Sequence, residues 1–63
     1  MTPNQARVLL KLDPGFTQED LKVAFRRAAR FFHPDYNPSP AAPRAFQLIV
    51  EAAAVLAPLA RPS

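Results

Sequence analysis

Prolines divide this chain into segments, and their spacing limits the regular structure that it can form. The sequence has eight prolines and one glycine among 63 residues. A proline inside a helix removes a hydrogen bond and clashes with the preceding turn, and in a sheet it removes a ladder bond. Three stretches without an internal proline remain for helices, at about residues 4–10, 18–32 and 43–57. No stretch alternates with the period of two that strands require, so the pattern predicts an all-α fold.

The stretch at residues 18–32 carries the clearest helical pattern. Thr17, with Asp20 three residues later, resembles a capping box that has Asp in place of the usual Glu or Gln. Pro34 disfavours helical geometry for the residue before it, which makes His33 the expected first extended residue after the helix. One apolar face is predicted from residues at helical spacing, namely Leu21, Phe25, Ala28 and Phe32.

The other two helices are predicted from weaker patterns. The first, at residues 4–10, is short and would be marginal without packing; its expected anchors are Val8, Leu9 and Leu12. The third starts at Pro43, a residue type suited to the first helical position, and ends before Pro58. Its apolar stripe is expected to consist of Phe46, Ile49, Val50, Ala53 and Leu56.

These helices predict a single small domain at residues 1–63 with its core at residues 6–57, since so short a chain makes one domain at most. Helices two and three are expected to pack antiparallel across the loop between them, with the first helix lying across both. The interlocking core is predicted to contain Phe25, Phe32, Phe46 and Leu56. Leu48 and Val55 fall beside the polar stripe of the third helix, which leaves two explanations open: packing by the last residues, or a self-association patch.

The charge is basic and concentrated on the second predicted helix. The net charge is +3, which suggests an acidic partner without identifying it as nucleic acid, membrane or protein. Lys22, Arg26 and Arg30 recur every four residues and share one face, with Arg27 beside them. We call these four residues the basic strip.

Composition excludes several kinds of site. The chain has no cysteine and one histidine, so disulfides, thiolate zinc sites and cysteine nucleophiles are absent. His33 and Asp35 alone complete neither a metal site nor a catalytic set, and we expect no metal, cofactor or catalysis. No signal-peptide pattern and no apolar run of about 20 residues is evident. We therefore expect a cytoplasmic location and no membrane association.

Three features meet at the end of the second helix: the basic strip, the proline stop and the tripeptide His33-Pro34-Asp35. The run AFRRAARFFHPD at residues 24–35 resembles the J-domain of DnaJ-type co-chaperones, which carries an aromatic, two basic residues and another aromatic before His-Pro-Asp. Leu10 and Leu12 match the family around its first turn. The third helix is similar to the family pattern at Phe46, Ile49, Ala52, Val55 and Leu56. The resemblance covers about residues 6–57.

The chain also departs from the family pattern. Arg7 replaces the usual tyrosine of the first helix, and Lys11 replaces the glycine after the first leucine. Tyr36 follows the tripeptide where a basic residue is common, and Ala53 replaces an aromatic residue of the third helix. The fourth-helix pattern is reduced to residues 59–61. No Gly/Phe-rich or client-binding region follows in this sequence, so we expect no client binding by these residues alone.

The resemblance implies a J-domain-like fold, with a short first helix, a helical hairpin and a fourth helix reduced or absent. It implies a monomeric co-chaperone module that docks on a DnaK-type seventy-kilodalton heat-shock chaperone and stimulates its ATP hydrolysis. The partner would then carry out the ATP hydrolysis, and this chain is not expected to be an enzyme. The partner-binding residues that the resemblance implies are Lys22, Arg26, Arg27, Arg30, His33, Pro34, Asp35 and Asn37.

Two other functions are compatible with the residues. A basic helix of this kind also engages nucleic-acid phosphates, although no recognition-helix pattern accompanies it here. A degenerate J-like domain would make protein contacts without stimulating a chaperone, and the intact His33-Pro34-Asp35 argues against that reading.

Overall fold

The computed structural model describes residues 1–33 and 35–62. Within them the chain forms three α-helices, α1 (Pro3–Leu10), α2 (Gln18–Phe32) and α3 (Ala42–Leu56), followed by one 3₁₀ turn at Ala57–Leu59. The described residues contain no strand, only an isolated bridge between Thr17 and Arg61. The predicted all-α fold is confirmed. The 3₁₀ turn occupies the position where a fourth helix would begin.

The ends of α1 are set by local hydrogen bonds. Thr2 and Gln5 form a reciprocal capping box at its start. At its end Lys11 takes the left-handed conformation, with φ 57° and ψ 45°. The main-chain N–H of Lys11 donates to the Val8 carbonyl at 3.2 Å, and that of Leu12 donates to the Arg7 carbonyl at 2.9 Å. This pair of bonds is the Schellman arrangement, in which the left-handed residue is usually glycine.

Two of the three predicted anchors of α1 were wrong. Val8 and Leu9 are exposed, whereas Ala6 and Leu10 are buried, and Leu12 is only partly buried. Residues four apart share one face of a helix, so Ala6 and Leu10 point together into the core. Val8 lies two residues from each of them and therefore faces the opposite side.

The prediction for α2 is confirmed at both ends. The Thr17 hydroxyl accepts the Asp20 main-chain N–H at 3.1 Å, and the Asp20 carboxylate accepts that of Thr17 at 3.0 Å. After the helix, His33 is extended, with φ −64° and ψ 132°. Leu21 is buried, and the rest of the predicted apolar face packs partly buried against the core.

The buried cluster is mainly aliphatic, contrary to the prediction of three interlocking phenylalanines, and Phe16, which the prediction did not include, belongs to it. Leu56 is fully buried as expected, but Phe25 and Phe32 only pack against the core from its edge. Phe46 is half-buried and lies outside the buried cluster. The buried cluster consists of Ala6, Leu10, Phe16, Leu21, Ile49, Ala52 and Leu56.

The buried face of α3 is rotated from the predicted stripe. Val50 is exposed, and Ala52 is fully buried in its place. Val55 is partly buried against the core, which supports the packing explanation for that residue, and Leu48 is half-buried. The segment Ala42–Leu59 is long and apolar enough to cross a membrane by length and composition alone, contrary to expectation. In this fold it is the core helix, and α1 and α2 both pack chiefly against it.

The last residues tie the end of α3 to the start of α2. The main-chain N–H of Arg61 donates to the Phe16 carbonyl at 3.1 Å, and the Gln18 N–H donates to the Arg61 carbonyl at 2.8 Å. Ala60 packs against the core beside them. The α2–α3 hairpin is thus closed at one end by this bridge and at the other by the loop after His33.

Candidate partner-binding site

The basic strip lies on the exposed surface of α2. All four of its side chains are exposed, and Lys22, Arg26 and Arg30 follow one line along the helix. Among residues 1–33 and 35–62, the one ion pair recorded joins His33 and Asp35, and none involves the strip. Its positive charge is therefore available to an anionic partner.

His33 holds the loop after α2 by its main chain and by its ring. Its carbonyl oxygen accepts the main-chain N–H groups of Tyr36 and Asn37, each at 2.9 Å. Its Nδ1 atom accepts the Asp35 main-chain N–H at 3.2 Å. His33 thus fixes the main chain of Asp35, Tyr36 and Asn37.

The ring of His33 is itself fixed by aromatic neighbours. It meets the Phe46 ring edge-on, with centroids 5.6 Å apart and planes at 86°, and the Tyr36 ring at 6.0 Å and 62°. These are the separations and angles that aromatic pairs prefer. Phe46 is therefore a support for His33, a role that the helical pattern of α3 did not indicate.

Asp35 presents the most accessible charge of the loop. Its side chain is 82% exposed, against 44% for His33. The carboxylate Oδ2 lies 3.6 Å from the His33 Nδ1 atom, too far for a hydrogen bond. The exposed carboxylate is therefore accessible to an incoming cation.

The remaining predicted site residues have different positions. Asn37 is half-buried; its amide nitrogen donates to the Phe31 carbonyl at 3.3 Å, and its amide oxygen accepts the Ser39 N–H at 3.1 Å. The side chain therefore folds the loop back onto the end of α2, and its contact with a partner stays a prediction. Pro34 lies outside the described residues.

The site has no arrangement that indicates bound metal. Within the described part of the chain, no three side chains of the His, Cys, Asp or Glu type come together as a possible metal-binding group. What the site offers is a fixed loop with one exposed carboxylate, at the end of a helix with exposed cations. Such a surface is suited to recognising another macromolecule.

Known proteins are similar to this chain over most of its length. The model of the DnaJ domain family matches residues 8–60. Human "DnaJ homolog subfamily B member 12" is 50% identical over 48 residues, and "Chaperone protein DnaJ 2" of Thermus thermophilus is 54% identical over 48 residues. The match covers 76% of this chain in both cases, but only 13% and 17% of the length of those relatives. No solved structure matches the chain at comparable significance.

The family match contains the buried faces of α2 and α3, the basic strip and the loop that His33 organises. The similarity therefore covers the residues that build the site as well as those that build the core. This chain belongs to the DnaJ domain family.

Proposed function

We propose that this chain docks on a DnaK-type seventy-kilodalton heat-shock chaperone through α2 and the loop that follows it, and stimulates ATP hydrolysis by that chaperone. The observation that carries the proposal is the position of Asp35: His33 accepts its main-chain N–H, and its carboxylate is exposed just after the basic strip ends. A DnaJ domain is a co-chaperone module, and this arrangement gives the module a surface with which to act.

The two charged parts of the surface would act at different stages of binding. Exposed cations at the rim of an interface mainly accelerate encounter with an acidic surface. Asp35 would form a charge-assisted hydrogen bond with an arginine of the partner, which is both stronger and more directional. The basic strip would thus bring the two proteins together in a loosely defined orientation. The Asp35 contact would then fix that orientation.

The fixed loop lowers the ordering cost of that second stage. Three hydrogen bonds to His33 and two to the Asn37 side chain already hold residues 35–39. Binding then has to immobilise few additional groups, and more of the contact energy is retained as affinity.

Stimulation requires that the module distinguishes two states of its partner. A ligand shifts an equilibrium only by its difference in affinity for the two states. The module would therefore bind the hydrolysis-competent conformation of the ATP-bound chaperone more tightly than its resting ATP-bound conformation. No residue of this chain takes part in the bond-breaking step on this proposal.

A titration of a fluorescently labelled chain tests the proposal. The titrants are a DnaK-type chaperone with ATP, the same chaperone with ADP, and mixed-sequence DNA and RNA. We expect saturable binding to the ATP state and weaker binding to the ADP state. Equal affinity for the ATP-bound and ADP-bound chaperone would contradict the expected docking on the ATP-bound form. Tight nucleic-acid binding without a chaperone response would replace it with the nucleic-acid reading.

A further inference from the structure

Two large aromatic side chains beside the loop are exposed to solvent. Phe31 is 67% exposed and Tyr36 is 72% exposed, although both lie next to residues that the fold fixes. The ring of Phe31 touches that of Phe32 edge-on at 4.8 Å, and the Tyr36 ring lies 6.0 Å from the Arg30 guanidinium. Neither the helical hairpin nor the hydrogen bonds of the loop require rings at these two positions.

The two rings line one open groove of about 570 Å³. Arg27 and Arg30 stand at its rim together with Asn37, and no acidic side chain lines it. We call these five residues the aromatic groove. Its walls are apolar, its rim is cationic, and Asn37 holds the two sides together through its hydrogen bond to the Phe31 carbonyl at 3.3 Å.

The aromatic groove is continuous with the proposed docking surface. It shares Arg27 and Arg30 with the basic strip, and Tyr36 follows Asp35 directly in the loop. Aromatic residues and arginine are enriched in protein interfaces, and tyrosine and arginine are prominent among the residues that dominate binding energy. Tyr36 also stands where the family commonly has a basic residue, so this chain has an aromatic ring at a position that usually carries only charge.

We propose that the aromatic groove receives a segment of the chaperone partner in which an apolar side chain lies next to a carboxylate. The inference rests on the proposed function and adds a specificity element to it. The apolar side chain would lie between Phe31 and Tyr36, and the carboxylate would meet Arg27 and Arg30 at the rim. A single-stranded nucleic acid would also stack on the two rings, and binding of that kind would contradict the inference.

The test compares binding kinetics of four chains with an ATP-bound DnaK-type chaperone at two salt concentrations. The groove variant is Phe31→Ala with Tyr36→Ala. The ring-retaining variant is Phe31→Tyr with Tyr36→Phe. The control is Val8→Ala with Leu59→Ala, which truncates exposed apolar side chains on other elements. The fourth chain is the parent. Thermal melts accompany each, and exposed substitutions usually leave the fold intact.

We expect the groove variant to bind at least about tenfold more weakly, the change that truncating dominant interface residues gives. The loss should lie in a faster dissociation rate, with the association rate and the salt dependence unchanged. The ring-retaining variant and the control should bind like the parent.

Two results would overturn the inference while the proposed function stands. One is equal chaperone kinetics for parent and groove variant; the other is a loss confined to the association rate. If the groove variant instead loses affinity only for single-stranded RNA, the groove is a base-stacking platform and the inference is wrong. If the parent itself does not bind the chaperone, the proposed function and the inference fail together, and the parent titration identifies that case.

Discussion

Lys11 carries backbone strain that the rest of the chain has to offset. It occupies the left-handed position after α1, with φ 57°, where its Cβ atom approaches the following carbonyl group. Glycine has no such contact, and the family commonly has glycine at this position. The main-chain hydrogen bonds of Lys11 and Leu12 keep the strained geometry in place.

Lys11→Gly should therefore raise the free energy of unfolding by about 1 kcal/mol, the order of the left-handed penalty. In a domain of this size, that corresponds to a melting temperature higher by roughly 4–8 °C. Lys11→Ala is the matched control, since it removes the side chain but keeps the Cβ atom, and it should give no gain. A Lys11→Gly chain that melts at or below the parent temperature would show that the turn is not strained.

Phe46 and Leu56 lie on the same helix but should respond differently to truncation. Leu56 is fully buried, and Leu56→Ala should cost about 2–5 kcal/mol, close to the ~3–5 kcal/mol expected for a whole domain of this size. Phe46 is half-buried against the His33 ring, so Phe46→Ala should cost roughly 1–2 kcal/mol and leave a folded chain.

Phe46→Ala should reduce the stimulation of chaperone ATP hydrolysis more than Leu56→Ala does, although it costs less stability. Without Phe46 the His33 ring loses its edge contact, and we expect the folded variant to stimulate chaperone ATP hydrolysis less than the parent. Melting curves and ATPase rates of both variants, taken well below their melting temperatures, make the comparison. Full stimulation by Phe46→Ala would show that the ring contact does not position His33.

The sequence predicted which residues are exposed on α2 better than it predicted which residues support the loop. The four-residue spacing of Lys22, Arg26 and Arg30 places them on one exposed face, as the structure confirms. The contact between Phe46 and His33 joins residues far apart in the chain. Periodicity assigns a residue to a face of its helix but does not give the depth of its ring, so Phe46 was assigned to the core.

At the scale of the element, α2 should act as an electrostatic guide. Arg26→Glu with Arg30→Glu reverses the charge at the middle and end of the basic strip without touching Leu21, Phe25 or the loop. We expect a slower association with the chaperone and a weaker salt dependence, since rim charges govern the encounter rate. Stopped-flow association rates at two salt concentrations measure both quantities.

A matched control separates the position of these charges from their number. Arg44→Glu with Arg61→Glu changes the net charge equally, on exposed residues outside α2. This control should slow association less than the variant of the strip. If both double variants slow association equally, overall charge and not the basic strip steers the encounter.

The ends of the helices were predictable where a local signal sets them. The capping box at Thr17 and the stop before Pro34 fix α2 within its own sequence, and the structure confirms both. The buried faces of α1 and α3 depend on how three helices share one small core. Ala6 and Ala52 are buried because close helix packing favours small side chains. This preference depends on the contacts between helices, which the pattern of a single helix does not contain.

At the scale of the molecule, the C-terminal residues lock the hairpin at the end opposite the site. Deleting residues 60–63 removes both Arg61 main-chain hydrogen bonds and the packing of Ala60. At about 0.5–1.5 kcal/mol for each hydrogen bond, the unfolding free energy should fall by roughly 1–3 kcal/mol. Arg61→Ala keeps the main chain and should melt like the parent. Identical melting of the deletion and the parent would mean that the bridge adds no stability.

No pattern in the sequence predicted this bridge. It pairs Thr17 with Arg61, 44 positions later in the chain, through main-chain atoms that every residue type possesses. Patterns of side chains identify helices and their faces, but a main-chain pairing between distant residues follows only from the packed fold. The family resemblance supplied the overall arrangement and indicated a reduced fourth helix, without showing what replaces it.

The measurement that tests the central claim most directly is a single-turnover ATPase assay of a DnaK-type chaperone with this chain. The account predicts that the parent accelerates hydrolysis in a saturable way. His33→Gln should give no acceleration while keeping its helical circular dichroism, because His33 lies outside the helices and organises the loop. No acceleration by a folded parent chain, or equal acceleration by His33→Gln, would contradict the account.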